Sequence, residues 1–210
     1  MSSLAAFCLD NLPVLVTAHG ALIQHATHLH QAGALLPGSF NPVHAGHWEL
    51  SAVAERLTGA ATVFELSIDH VDKPNLSLDE VRRRLAQFTG RADVWVTRAS
   101  LFAQKAALFP QRTFAIGVDV ALRLVEPRYY DDNQDRMLEA LATLERHGCR
   151  VLVAPRVDAN GRLLTLDDVP LPPECRPMFT AISPDVFRHD ISSTALRSQP
   201  TDSTGQCNEE

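Results

Sequence analysis

Cysteine is scarce and scattered: Cys8, Cys149, Cys175 and Cys207 form no CxxC pair and no close Cys/His grouping. That pattern argues against a disulfide frame or a structural zinc site and for free thiols in a reducing compartment. No apolar run approaches the length of a membrane span. The N-terminus lacks a basic start, an apolar block and a small-residue cleavage site, so no secretory signal is expected. A basic excess is also missing. The net charge of −6 argues against a surface that coats nucleic acid by displacing counterions. It leaves room for a small anionic ligand in one local basic pocket. Lysine is nearly absent, and the rarity of Lys73 and Lys105 marks neither as functional. These absences predict a soluble, cytoplasmic protein with no nucleic-acid and no membrane partner.

What is present is 210 residues of ordinary apolar content, enough to bury a core in one domain. Residues 1–31 read as an N-terminal helical extension, with a helix beginning at Pro13 and running through Leu15, Leu22, Ile23 and Ala26. His19, His25, His28 and His30 lie along it, but their spacing brings no acidic or cysteine partner for a metal. Residues 32–198 read as the main domain, and the polar residues 199–210 as a disordered tail. No sequence feature bears on oligomeric state.

From Gly33 the pattern alternates. Ala34-Leu35-Leu36 is a short strand candidate, and Leu50, Val53, Ala54 and Leu57 then mark one buried helix face, ended by Gly59. Thr62 to Ile68 reads as a second strand, Leu78, Val81, Leu85 and Phe88 as a helix, and Val94 to Thr97 as a third strand. Leu101 to Leu108, Thr113 to Gly117, Met137 to Leu144 and Val151 to Val153 continue the series as helix, strand, helix, strand. Asn160-Gly161 suits a hairpin tip. Strands separated by helices predict an α/β, Rossmann-like, doubly wound parallel sheet of order 3-2-1-4-5 in a single domain. In such a sheet ligands sit beyond the strand C-termini where the order reverses, next to the loops after the first and fourth strands.

The first of those loops is Gly38-Ser39-Phe40-Asn41-Pro42-Val43-His44-Ala45-Gly46-His47. Gly38 and Gly46 let a ligand approach the backbone, and Pro42 stiffens the turn. His44 and His47 stand three apart at a helix start, on one face, beside free N–H groups and the positive end of the helix dipole. That arrangement suits a phosphoryl group. A zinc HExxH reading fails, because the spacing is wrong and no glutamate lies between the histidines. Near the other end, Ile191-Ser192-Ser193-Thr194-Ala195-Leu196-Arg197 places a natural N-cap serine one turn before a guanidinium, a combination suited to the outer phosphates of a triphosphate.

Together these segments resemble the signatures of the nucleotidyltransferase superfamily with His-x-Gly-His and ISSTxxR motifs, particularly the nicotinamide or nicotinate mononucleotide adenylyltransferases. The resemblance covers Gly33 to Arg197. It implies in-line attack by an acceptor's phosphate oxygen on the α-phosphorus of ATP or CTP, releasing pyrophosphate with no covalent enzyme intermediate. It further implies that His44 and His47 are catalytic, holding the α-phosphate oxygens. Gly38, Ser39, Phe40, Asn41, Gly46, Ile191, Ser192, Ser193 and Arg197 would bind nucleotide. Gly117 and Asp119 match the superfamily's GxD after the fourth strand and would join them. Mg²⁺ would arrive on the triphosphate, and no carboxylate cage for it is visible.

Lys73, leaving the second strand, is a candidate for the acceptor's phosphate, the alternative being a solvated loop lysine. Arg82-Arg83-Arg84 reads as a solvated helix face with one member turned inward, and Trp95, inside a strand, as core. The superfamily's acceptor pattern is not visible in Thr97 to Phe102. The Asp72-Lys73-Pro74, Gln104-to-Pro110 and Tyr129-Tyr130 segments instead resemble a cytidylyltransferase-like branch. The expectation is therefore an enzyme that adenylates nicotinamide or nicotinate mononucleotide. The alternatives are a CTP-dependent cytidylyltransferase or NTP hydrolase of the same fold, or a nucleotide-binding regulatory module without transfer.

Overall fold

The computed structural model describes residues 13–24, 33–71 and 74–188. Its strands are β1 (Val14–Val16), β2 (Leu22–Ile23), β3 (Ala34–Pro37), β4 (Thr62–Ser67), β5 (Val94–Thr97), β6 (Thr113–Gly117), β7 (Arg150–Ala154), β8 (Arg156–Val157), β9 (Leu163–Leu164) and β10 (Phe179–Ala181). Its α-helices are α1 (Ala45–Thr58), α2 (Leu78–Leu85), α3 (Phe102–Leu108), α4 (Val118–Leu124) and α5 (Gln134–Arg146). Eight strands form one sheet in the order β10-β7-β6-β3-β4-β5-β1-β2, and β8 pairs with β9 in a separate hairpin. From β10 to β5 every pairing is parallel. Counted from β3, the five parallel strands β5-β4-β3-β6-β7 run in the expected order 3-2-1-4-5. The sheet extends beyond it at both edges, by β10 on one side and by β1 and β2 on the other.

Alternation along the strands divides the core into two layers. Leu35, Phe114, Ile116, Val151 and Val153 face one layer, which holds Trp95, Phe109 and Leu141. Leu36, Phe64, Leu66, Val96 and Leu152 face the other, which holds Leu50, Val53 and Phe88. Trp95 is thus core, as expected.

The expected helix from Pro13 is instead the β1–β2 hairpin. Val-Leu-Val has a stronger strand than helix preference, and Gly20, at φ 82°, supplies the left-handed turn. β1 lies antiparallel to β5, pairing Val14 with Val96 and Leu15 with Trp95. It covers an edge that would otherwise show bare N–H and C=O groups. His19 is exposed in the turn. His25, His28 and His30 lie outside the described residues, as does the 199–210 tail. A smaller correction concerns Leu57, which is 54% exposed in the last turn of α1, where the chain is already reversing at Gly59, φ 69°. Among the described residues, no helix is long and apolar enough to cross a membrane.

Candidate functional site

The sheet reverses its winding between β3 and β6, and the loops that follow these two strands lie side by side there. After β3 the Gly38 N–H donates to the Glu65 carbonyl at 2.9 Å, which carries the pairing with β4 one residue further. The chain then turns sharply. Phe40 takes φ 47° and Asn41-Pro42 is cis. The Phe40 ring is buried edge-on against Phe64, Phe88 and His47, with centroids 5.5, 5.1 and 5.2 Å away. Gly38 makes room for it, since a Cβ there would stand 2.6 Å from Phe40 Cε1.

Helix α2 and the turn that follows it, Ala86–Phe88, hold this loop at several points. Arg84 Nη1 donates to the Ser39 carbonyl at 2.7 Å, Gln87 Nε2 to the Phe40 carbonyl at 2.9 Å, and Arg83 Nη2 to Asn41 Oδ1. The Val43 N–H donates back to Gln87 Oε1 at 2.9 Å. Both arginines are set by Glu80, whose Oε1 accepts from Arg83 Nη2 and Arg84 Nε and whose Oε2 accepts from Arg83 Nε, all at 2.7 Å. The hydrogen bonds from Arg83, then Arg84, pull the Glu80 carboxyl down to about 2. Arg84 is the inward member of the arginine run, while Arg82 stays outside on Asp79.

His44 is the N-cap of α1. Its N–H donates to His47 Nδ1 at 3.1 Å, and the two rings lie in tilted contact, with centroids 3.8 Å apart and planes at 34°. A neutral His47 whose Nδ1 accepts must carry its proton on Nε2. No acidic residue occupies the first turn of α1, so its dipole remains available to an anion. After β6, Gly117 caps α4, and a Cβ at that glycine would stand 2.6 Å from Asp119 Oδ1. Asp119 itself pairs with Arg156 at 2.9 Å.

These loops enclose a cavity of about 600 Å³. Gly38, Ser39, Asn41, His44, Gly46, His47, Gly117 and Asp119, all expected at the site, line it. Phe40 is the exception. Its ring belongs to the core and its carbonyl to Gln87, so it holds the loop without lining the cavity. Lys73, Ile191, Ser192, Ser193 and Arg197 lie outside the described residues. Four arginine-bearing or polar contributors were not anticipated as site residues: Arg84, Arg123 and Arg156 on the wall, and His70 beside them.

A second cavity of about 240 Å³ adjoins the first, and Gly38, Ser39, His70 and Arg123 line both. Glu65 and Lys105 lie on its wall with Phe102, Tyr129 and Tyr130. Glu65 is fully buried in the middle of β4 and Lys105 is 4% exposed. Lys105 Nζ donates to both Glu65 oxygens at 2.8 Å and to the Ala99 carbonyl at 2.6 Å, and Thr97 Oγ1 donates to Glu65 Oε1 at 2.5 Å. Burial pushes the Tyr130 hydroxyl up to about 12, and it donates to the Leu124 carbonyl at 3.1 Å. Asp69 and Arg98 pair nearby at 2.9 Å.

No family model and no curated protein matches this chain. The site can accept an anion on a helix N-terminus, offer imidazole N–H groups to it, and surround it with guanidinium charge. Among the described residues no group of three or more His, Cys, Asp or Glu side chains could hold a metal ion.

Proposed function

We propose that the chain is a nucleotidyltransferase, moving a nucleoside monophosphate from ATP or CTP to a phosphorylated acceptor with release of pyrophosphate. Nicotinamide or nicotinate mononucleotide is the acceptor we favour. The observation that carries this reading is the His44–His47 pair, rings in contact at the N-terminus of α1, on the wall of a cavity shared with Gly38, Ser39, Gly117 and Asp119. About 600 Å³ is within the usual size of a ligand cleft, about 300–1,000 Å³. The described chain also leads back to this cavity, because Phe187 lies on its wall four residues ahead of Ile191.

In this reaction an acceptor phosphate oxygen bonds to the α-phosphorus as the bond to the β-phosphate bridging oxygen breaks and pyrophosphate departs. The protein's part is positioning and stabilisation of charge on the transferring group. His47 Nε2–H donates to an α-phosphate oxygen, with its tautomer fixed by the His44 N–H on Nδ1. His44, the α1 amides and Arg84 add positive potential. Mg²⁺ carried on the triphosphate would supply neutralisation of its outer charge. Buried free thiols at Cys149 and Cys175 fit a reducing, cytoplasmic setting.

The test is pyrophosphate release with ATP or CTP against a panel of phosphorylated acceptors. His47→Ala is expected to lower kcat by about 10²–10³, the usual cost of removing one preorganised donor. Product masses separate adenylyl from cytidylyl transfer and both from hydrolysis. No pyrophosphate above the variant's level with any acceptor would end the proposal.

A further inference from the structure

The two cavities meet at a wall that holds a guanidinium, an imidazole and, among the described residues, no carboxylate. Pro37, Gly38, Ser39, His70, Val120 and Arg123 make it, since they line both spaces. The topology brings the two basic groups there from opposite sides. β3 lies between β6 and β4 in the sheet, so α4 after β6 and the loop after β4 flank the turn at Gly38 and Ser39. Arg123 stands in the last turn of α4. His70 stands in the loop after β4, which the Leu76 N–H closes on the Ile68 carbonyl at 2.9 Å. Arg123 is exposed and His70 half-buried, so a ligand can reach both.

The other charges around this wall are already matched. Of the three arginines on the larger cavity, Arg84 is engaged by Glu80 and the Ser39 carbonyl, and Arg156 by Asp119. On the smaller cavity Lys105 matches Glu65 and Arg98 matches Asp69. The Arg123 side chain alone of these has neither a hydrogen bond nor an ion pair among the described residues. Glu126, three positions on, pairs with Arg128 instead. A cation in the last turn of a helix is favoured by the dipole wherever it points, so α4 by itself does not place Arg123 on this wall. An uncommitted guanidinium beside an imidazole, where every lining carboxylate is paired, suits a dianion. Its planar fork takes two oxygens of one phosphate at once.

We propose that this wall is a site for a phosphate monoester, gripped by the Arg123 guanidinium with His70 beside it, and that the acceptor's phosphate is the group it takes. The inference rests on the transferase reading and gives two residues the role expected of Lys73. The monoester held there faces the larger cavity, where His44 and His47 stand at the N-terminus of α1. Two anions brought so close repel each other, and a guanidinium on the boundary of both spaces relieves that repulsion.

Phosphate monoesters and their phosphate-free counterparts serve as probes. The full chain is first saturated with Mg²⁺ and an ATP analogue whose α- and β-phosphorus are joined by methylene, which occupies the triphosphate site without transfer. It is then titrated by calorimetry with nicotinamide mononucleotide, ribose 5-phosphate and phenyl phosphate, and with nicotinamide riboside, ribose and phenol. At least one monoester is expected to bind about tenfold or more tighter than its counterpart. Arg123→Ala should weaken that monoester by about tenfold or more, leaving its counterpart, the ATP analogue and the melting temperature unchanged. Arg123→Lys keeps the charge without the fork and should fall between the two. The proposal is overturned if no monoester binds while the analogue does, or if Arg123→Ala binds the monoester as the parent does. It is also overturned if the analogue weakens by the same factor, which would give Arg123 to the triphosphate. Failure of the analogue itself to bind would instead remove the transferase reading, and this inference with it.

Discussion

Phe40 has a backbone angle, φ 47°, that few bulky residues accept. The angle is held by what surrounds the ring: Phe64 and Phe88 on one side, His47 on another, and the empty space at Gly38 beneath. Two glycines at the site thus have different jobs. A Cβ at residue 38 meets an aromatic ring locked in the core, whereas a Cβ at residue 117 meets the mobile end of Asp119. Gly38→Ala is expected to destabilise the fold by about 1–3 kcal/mol, the usual range for overpacking, read as a lower denaturant midpoint. Gly117→Ala should leave that midpoint nearly unchanged and weaken nucleotide binding, because Asp119 must move from its pairing with Arg156. Equal stability losses in both variants would contradict this division.

Helix α2 does for the loop what Phe40 does from below. Its first turn is capped by Ser77, whose hydroxyl accepts from the Glu80 N–H, and Glu80 then orients Arg83 and Arg84 toward Asn41 and Ser39. Because the folded protein holds the Glu80 carboxyl at about 2 against an ordinary 4.5, its stabilising contribution is complete above pH 4.5. It is lost as the pH falls toward 2. Glu80→Gln should therefore be less stable than the parent at pH 7 and lose less on going from pH 5 to pH 3. Denaturant midpoints at the three pH values check this, and parallel losses in the two proteins would refute it. The same variant should raise KM for the triphosphate, since both arginines lose their anchor.

Across the molecule, the parallel strands were legible as short apolar runs, buried on both faces of the sheet, and the longer helices between them through apolar residues repeated at period 3.6. The β1–β2 hairpin was not. Three- and two-residue strands are too short to show a period, and Leu15, Leu22 and Ile23 also fit a helical stripe. At the site, the histidine loop and the Gly117–Asp119 turn stand out in sequence through glycine, proline and histidine at close spacing. The α2 clamp does not, because Arg84 and Ser39 are 45 residues apart and only the fold brings them together. Glu65 reads as one polar residue in a strand, and its partner Lys105 lies 40 positions away. The hairpin's worth can be measured at this scale. A chain lacking residues 1–24 should melt at a lower temperature and scatter more light, as the backbone of β5 is uncovered. An unchanged melting temperature and a clear solution would show that the edge needs no cover.

The larger cavity and the smaller one share a wall of six residues, Pro37, Gly38, Ser39, His70, Val120 and Arg123. Two guests seated on either side of that wall would meet across these side chains and the main chain that carries them. Thickening it would therefore leave each compartment able to hold its own molecule while keeping the pair from meeting, so that loss of coupling, with both affinities intact, is the signature such a change should leave.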